Sequence, residues 1–214
     1  MKTILSHIFR LTLLAALAIP AGAQVVVYDS FGPGNTYNTG VVWVVSGASD
    51  SGGYRGQAEF FVPAVSGYLS NVQLATYRLG GSALSNFYIA QDNGSGIPGV
   101  VLETYANVQN ANGLLTINST THPLLQAGQT YWLCDEPAAA NSNNGWYQNS
   151  QNVINGFAFE RAQWSWSSVP AAYSPPSGVF RVTVTPVPEP SVMALMTVAA
   201  GVAGLRLRRT GNGK

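Results

Sequence analysis

The chain has 214 residues, a formal charge of +1 and only 9% charged side chains. That near-balance hides an acidic middle: from residue 24 to 185 there are four arginines (Arg55, Arg78, Arg161, Arg181), no lysine and eight carboxylates, which leaves about −4. Nucleic acid is excluded as a partner, because neutralising phosphates takes clustered Lys or Arg, and with Cys134 as the only cysteine there is no internal disulfide to staple the fold.

In chain order, Lys2 and Arg10 bracket a positive start, residues 11–19 are apolar but for Thr12, and Ala21 and Ala23 give a small-x-small step before Gln24. This pattern predicts a signal peptide over residues 1–23, removed by signal peptidase before Gln24. Its apolar core is too short to span a bilayer permanently. From there to residue 185 no helical periodicity is sustained. Short β-branched and aromatic runs recur instead, broken by Gly, Pro, Asn and Ser: QVVVYDSF, VVWVVSG, QAEFFVPA, YLSNVQLATYRL, SNFYIAQD, GVVLETYANV, LLTINST, TYWLCDEP, GWYQNS, GFAFERAQWSW and GVFRVTVTP. Several alternate. Phe180, Val182 and Val184 oppose Arg181, Thr183 and Thr185, and Phe87 and Ile89 oppose Tyr88 and Ala90, so antiparallel strands with one buried and one wet face are expected. The Asn- and Gly-rich stretches DSFGPGNTYNTG, SGASDSGGYRG, QDNGSGIPG and EPAAANSNNG read as turns.

Ten or eleven strands in about 160 residues must bury their apolar faces, and two packed sheets do so. The predicted fold is therefore all-β: an antiparallel two-sheet β-sandwich, jelly-roll-like, over residues 24–185. It is flanked by the signal helix and a short C-terminal transmembrane helix. A closed barrel is the alternative.

The last segment, residues 186–214, has its own logic. Pro186, Pro188 and Pro190 break secondary structure, and the run 191–205 is apolar. Its fourteen uncharged residues from 192 onward would span roughly 21 Å as a helix, less than the roughly 30 Å hydrocarbon core. Arg206, Arg208 and Arg209 follow, a cluster expected to stay cytoplasmic with the body outside. Pro188-Glu189-Pro190 forms a stiff spacer. Val187-Pro188-Glu189-Pro190-Ser191, the apolar run and the arginines together resemble the PEP-CTERM sorting signal of exported bacterial proteins. The resemblance implies recognition by a membrane exosortase and transfer to the cell surface or exopolysaccharide. The body, through QAEFFVPAVSGYLSNVQLATY, QDNGSGIPGVVLE and LQAGQTYWL, resembles the choice-of-anchor domains of type R over residues 57–184. Those are extracellular β-sandwich modules with no established common activity, so no catalytic residue is implied.

Motifs for chemistry are sparse. His122 precedes a proline with no visible partner, and neither a nucleophile-elbow, a zinc-protease nor a phosphate-loop motif is present. One His and one Cys in the body do not make a transition-metal site, so no metal or cofactor is expected. Glu103, Glu160, Asp135 and Glu136 are the candidates for paired-carboxylate chemistry, read here as solvated strand ends; Asp135 and Glu136 are neighbours and should face opposite ways. Asp92-Asn93-Gly94-Ser95 reads as a turn rather than a calcium loop. Cys134 reads as a buried inert thiol, and Trp43 and Trp132 as core. Trp164 and Trp166, two apart on one strand face, with Trp146 beside the Asn-rich loop, are the candidate platform for stacking on sugars. The expectation is an exported, non-enzymatic surface or matrix protein sorted by its tail. The alternative is a carbohydrate-binding module.

Overall fold

Alternating apolar and small polar residues build strands wherever the sequence shows them, and the computed structural model describes these strands over residues 23–163, 165–169 and 176–187. Among the described residues there are thirteen: β1 (Val25–Asp29), β2 (Asn38–Ser46), β3 (Gly56–Phe61), β4 (Gly67–Gly81), β5 (Leu84–Asp92), β6 (Pro98–Gln109), β7 (Gly113–Asn118), β8 (Leu124–Leu125), β9 (Tyr131–Pro137), β10 (Ser142–Gln148), β11 (Phe157–Glu160), β12 (Trp166–Val169) and β13 (Phe180–Pro186). Gln24–Pro186 is one compact unit. The signal helix with Ala21, the sorting residues Pro188, Glu189, Pro190 and Ser191, the apolar run 191–205, Arg206, Arg208, Arg209 and Trp164 lie outside the described residues.

The strands form two antiparallel sheets. One runs β1-β13-β4-β10-β2, with β7 and β8 on the other edge of the long β4; the second runs β12-β11-β3-β9-β5-β6. Their facing sides share one core. Leu69, Val72, Leu74, Trp146, Phe180, Val182 and Val184 from the first sheet meet Phe61, Phe87, Ile89, Tyr131 and Leu133 from the second. This is sandwich packing rather than a closed barrel. Each large side chain removed from water there contributes about 1.5–3 kcal/mol.

The chain switches sheets repeatedly, and the switch from β4 to β5 is made at Gly81. Its φ of +56° lies in the left-handed region, and a Cβ there would sit 1.8 Å from the Asn141 carbonyl oxygen. Only glycine fits both demands.

Three expectations are corrected. The run GFAFERAQWSW is two strands, β11 and β12, which pair with each other as a hairpin. The Asn-rich stretch before Trp146 is strand from Ser142 onward, because Asn143, Asn144 and Gly145 sit in register between β2 and β4. The one-wet-face rule also fails in the middle of the second sheet. Phe87 and Ile89 face the sandwich interior, yet Tyr88 and Ala90 behind them are buried too, in a separate outer-face cluster with Ala58, Trp132, Cys134 and Ala158. Phe60, Ile97, Val101 and Trp166 pack against that cluster.

Candidate functional site

The proposed sugar platform is not assembled as expected. Trp146 is 0% exposed, its ring edge-on to Phe180 and its Nε1 donating to the Val179 carbonyl at 2.9 Å. It is a core residue, since β10 is an interior strand and Trp146 faces the other sheet. Trp166 is half-buried and donates from Nε1 to the Tyr88 hydroxyl at 3.1 Å. Its ring packs against the outer-face cluster rather than standing free. Trp132 is buried as expected, with Nε1 donating to Asp92 Oδ1 at 2.9 Å. The same Asp92 closes its own turn by accepting from the Gly94 amide.

The reading of the carboxylates as solvated strand ends is overturned for all four: Glu103, Asp135, Glu136 and Glu160 are each 4% exposed or less. Asp135 and Glu136 do face opposite ways. Asp135 turns into the sandwich, where burial pushes its pKa up to about 8 despite the nearby Ser85 hydroxyl. Glu136 turns outward and accepts from Tyr88 at 2.6 Å, while Tyr54 reaches both Glu160 at 2.8 Å and Glu136 at 3.3 Å. The two glutamates, 24 positions apart in sequence, therefore share one tyrosine. Burial and the hydrogen bond to Glu160 push Tyr54 well above its ordinary value, so it remains a proton donor in this network.

Glu103 is a clamp. Its Oε2 accepts from the Ser119 hydroxyl at 2.6 Å and from Tyr105 at 2.9 Å; its Oε1 accepts from the amide and hydroxyl of Thr120 and the amide of Thr121. Burial alone would raise the carboxyl, but these five donors outweigh it and hold the pKa at about 2. Cys134 is fully buried and burial pushes its thiol well above the usual range, which makes it inert. His122 is exposed, with Nδ1 against the Leu69 carbonyl at 2.9 Å. Among the described residues, no three His, Cys, Asp or Glu side chains come together as a metal site.

What the sequence did not reveal is a cleft of about 380 Å³ at the open edge of the sandwich, between β2 of one sheet and β3 and β11 of the other. Trp43 and Phe157 form one wall, ring centroids 4.6 Å apart. Trp43 was expected in the core; it is half-buried, because β2 is the last strand of its sheet and leaves one side of the ring uncovered. Phe159, also half-buried, carries the Arg161 guanidinium 5.6 Å above its ring. Register pairs Gly56 with Glu160, and so brings Arg55 and Arg161 to the same end of the cleft. Two of the body's four arginines thus share one groove. Neither has an ion-pair partner among the described residues, whereas Arg181 is bound to Asp29 at 2.7 Å. No local signal in the sequence joins positions more than a hundred residues apart; only strand pairing does.

Comparison with known proteins places no family on this chain: no family model matches, and no curated protein matches. Among solved structures, the chain resembles the cysteine protease and lectin-like domains of Cwp84, a surface layer associated protein of Clostridium difficile. The identity is 11% and the TM-score 0.41, over 62% of this chain and 32% of that one. The chain thus spans about a third of the solved chain's length. Among the described residues no helix is long and apolar enough to cross a membrane. The described residues form an all-β sandwich with an aromatic and cationic groove at the edge between its sheets.

Proposed function

We propose that this is an exported surface or matrix protein of the PEP-CTERM type, its sandwich being an interaction module of the choice-of-anchor kind carried outward by the C-terminal signal. The observation that supports this most is the extent of the β-rich unit. The compact unit is Gln24–Pro186, and the segments to either side are those that read as a signal peptide and a sorting tag. Signal peptidase and an exosortase-type enzyme are the processing partners in this reading, with passage through the inner membrane, C-terminus inside. Deleting residues 188–214 tests it: the protein should then appear in the medium or remain unsorted in the periplasm. Unchanged surface localisation would contradict the sorting role.

A second reading, carbohydrate binding, is favoured by the edge cleft rather than by the tryptophans expected from sequence. Trp43 and Phe159 offer ring faces, and Arg55 and Arg161 put two cations in a body of net negative charge, a combination suited to acidic sugars. Pull-down on a uronate-containing polysaccharide, with Arg161→Ala as control, tests it. Equal retention of both proteins would reject the cleft.

A further inference from the structure

The sandwich interior is not apolar throughout. At one end, strands of the second sheet set Gln57 (β3), Asp135 (β9), Ser85 (β5) and Asn110 (after β6) side by side. Gln57 and Asp135 are direct register partners, and Ser85 lies two residues before Phe87, the partner of Asp135 on the other side. Asn110 Nδ2 donates to Ser85 Oγ at 2.8 Å, and Asn144 reaches from the opposite sheet toward the same hydroxyl at 3.3 Å. Asp135, Ser85 and Asn144 are 0% exposed, Asn110 5% and Gln57 8%.

The amide donors of this layer are committed, and the Ser85 hydroxyl, which accepts from Asn110 and Asn144, has its one proton left for Asp135. Gln57 Nε2 bonds the Val44 carbonyl, Asn110 Nδ2 bonds Ala83, and Asn144 Nδ2 bonds Leu84. The acceptors are not. Both carboxylate oxygens of Asp135, Gln57 Oε1, Asn110 Oδ1 and Asn144 Oδ1 are buried with no hydrogen-bond partner. Leaving one such group unsatisfied costs about 1–3 kcal/mol, and native interiors rarely tolerate it without an ion or water. The single Ser85 proton can serve only one of these five oxygens, and the rest ask for a positive centre.

We propose that this layer binds one calcium ion, which displaces the Asp135 proton to solvent so that the carboxylate supplies the charge, while Gln57, Asn110 and Asn144 supply amide oxygens. The donor set selects the cation. It is all oxygen, which disfavours the transition metals that prefer nitrogen or sulfur. It is mostly neutral carbonyl on four different strands and connections, which suits the flexible, higher-coordinate shell of calcium better than the strict octahedron of magnesium. Of the four ligands, Gln57 also lines the edge cleft. The site stands independently of the sorting and sugar-binding readings.

The test uses the full exported chain, purified with calcium and then dialysed, for metal content, terbium luminescence sensitised by the aromatic core, and thermal unfolding with calcium or with chelator. The expected result is one tightly held calcium per chain and a lower unfolding temperature in chelator. Asp135→Asn should lower calcium and terbium affinity at least tenfold and abolish the chelator effect. Its new amide donor also supplies what the layer lacks, so the metal-free variant should unfold no earlier than metal-free wild type. If that variant does not fold, Asn144→Asp decides, since a second carboxylate should tighten binding at least tenfold. No retained metal with identical unfolding in calcium and chelator overturns the proposal, and so does binding that Asp135→Asn or Asn144→Asp leaves unchanged.

Discussion

Replacing Glu103 by glutamine removes one charge without changing shape, and its effect can be worked from the structure. The carboxylate accepts from Ser119, Thr120, Thr121 and Tyr105, tying β6 to the turn after β7. That turn holds His122 at a φ of +48°, with its amide bonded to Ser119 Oγ at 3.0 Å. A folded pKa of about 2 against an ordinary value of 4.5 corresponds to about 3 kcal/mol of stabilisation at about 1.4 kcal/mol per unit. Because the folded value is depressed, this stability is fully present above the unfolded pKa and is lost as pH falls through the folded one. Urea unfolding of wild type and Glu103→Gln should therefore differ by about 3 kcal/mol at pH 7. The difference should shrink between pH 4.5 and 2 and be nearly gone at the acid end. A gap that is absent at pH 7, or that stays constant down to pH 2, would refute the clamp.

Three further outcomes follow from the packing. Gly81→Ala should cost at least about 2 kcal/mol, since it combines a left-handed backbone with an overlap on the Asn141 carbonyl; an unchanged urea midpoint would contradict the tight sheet crossing. Trp146→Ala should cost about 3–5 kcal/mol as a buried core truncation, measured by the same assay, whereas a cost under about 1 kcal/mol would contradict its placement. Cys134 should resist a thiol reagent in the folded protein and react at the unfolding rate in urea; rapid labelling of native protein would place the thiol elsewhere.

The strands were legible because β-branched runs and turn residues are local signals. Every run read from sequence holds a strand, and Phe180, Val182 and Val184 share the face that their alternation predicts. What the sequence could not show is what lies behind a face. Tyr88 and Ala90 look solvent-facing by alternation but are covered by Trp166 and by the loop carrying Ile97. Asn144 reads as a loop residue, yet β2 and β4 flank it and strand pairing overrides its propensity. The carboxylates failed for a related reason. Charge predicts exposure only until partners are counted, and those of Glu103 and Glu160 include connection residues distant in sequence, Ser119 after β7 and Tyr54 before β3. The edge cleft was invisible because Arg55 and Arg161 meet only through the pairing of β3 with β11.

In the proposed function the sandwich is a passenger between two removable labels. The most direct measurement is the intact mass of the protein recovered from the cell surface. A polypeptide beginning at Gln24 and lacking the apolar run and Arg206, Arg208 and Arg209 is the predicted species. A mass equal to that of all 214 residues, or recovery of the chain only from the cytosol, would contradict it.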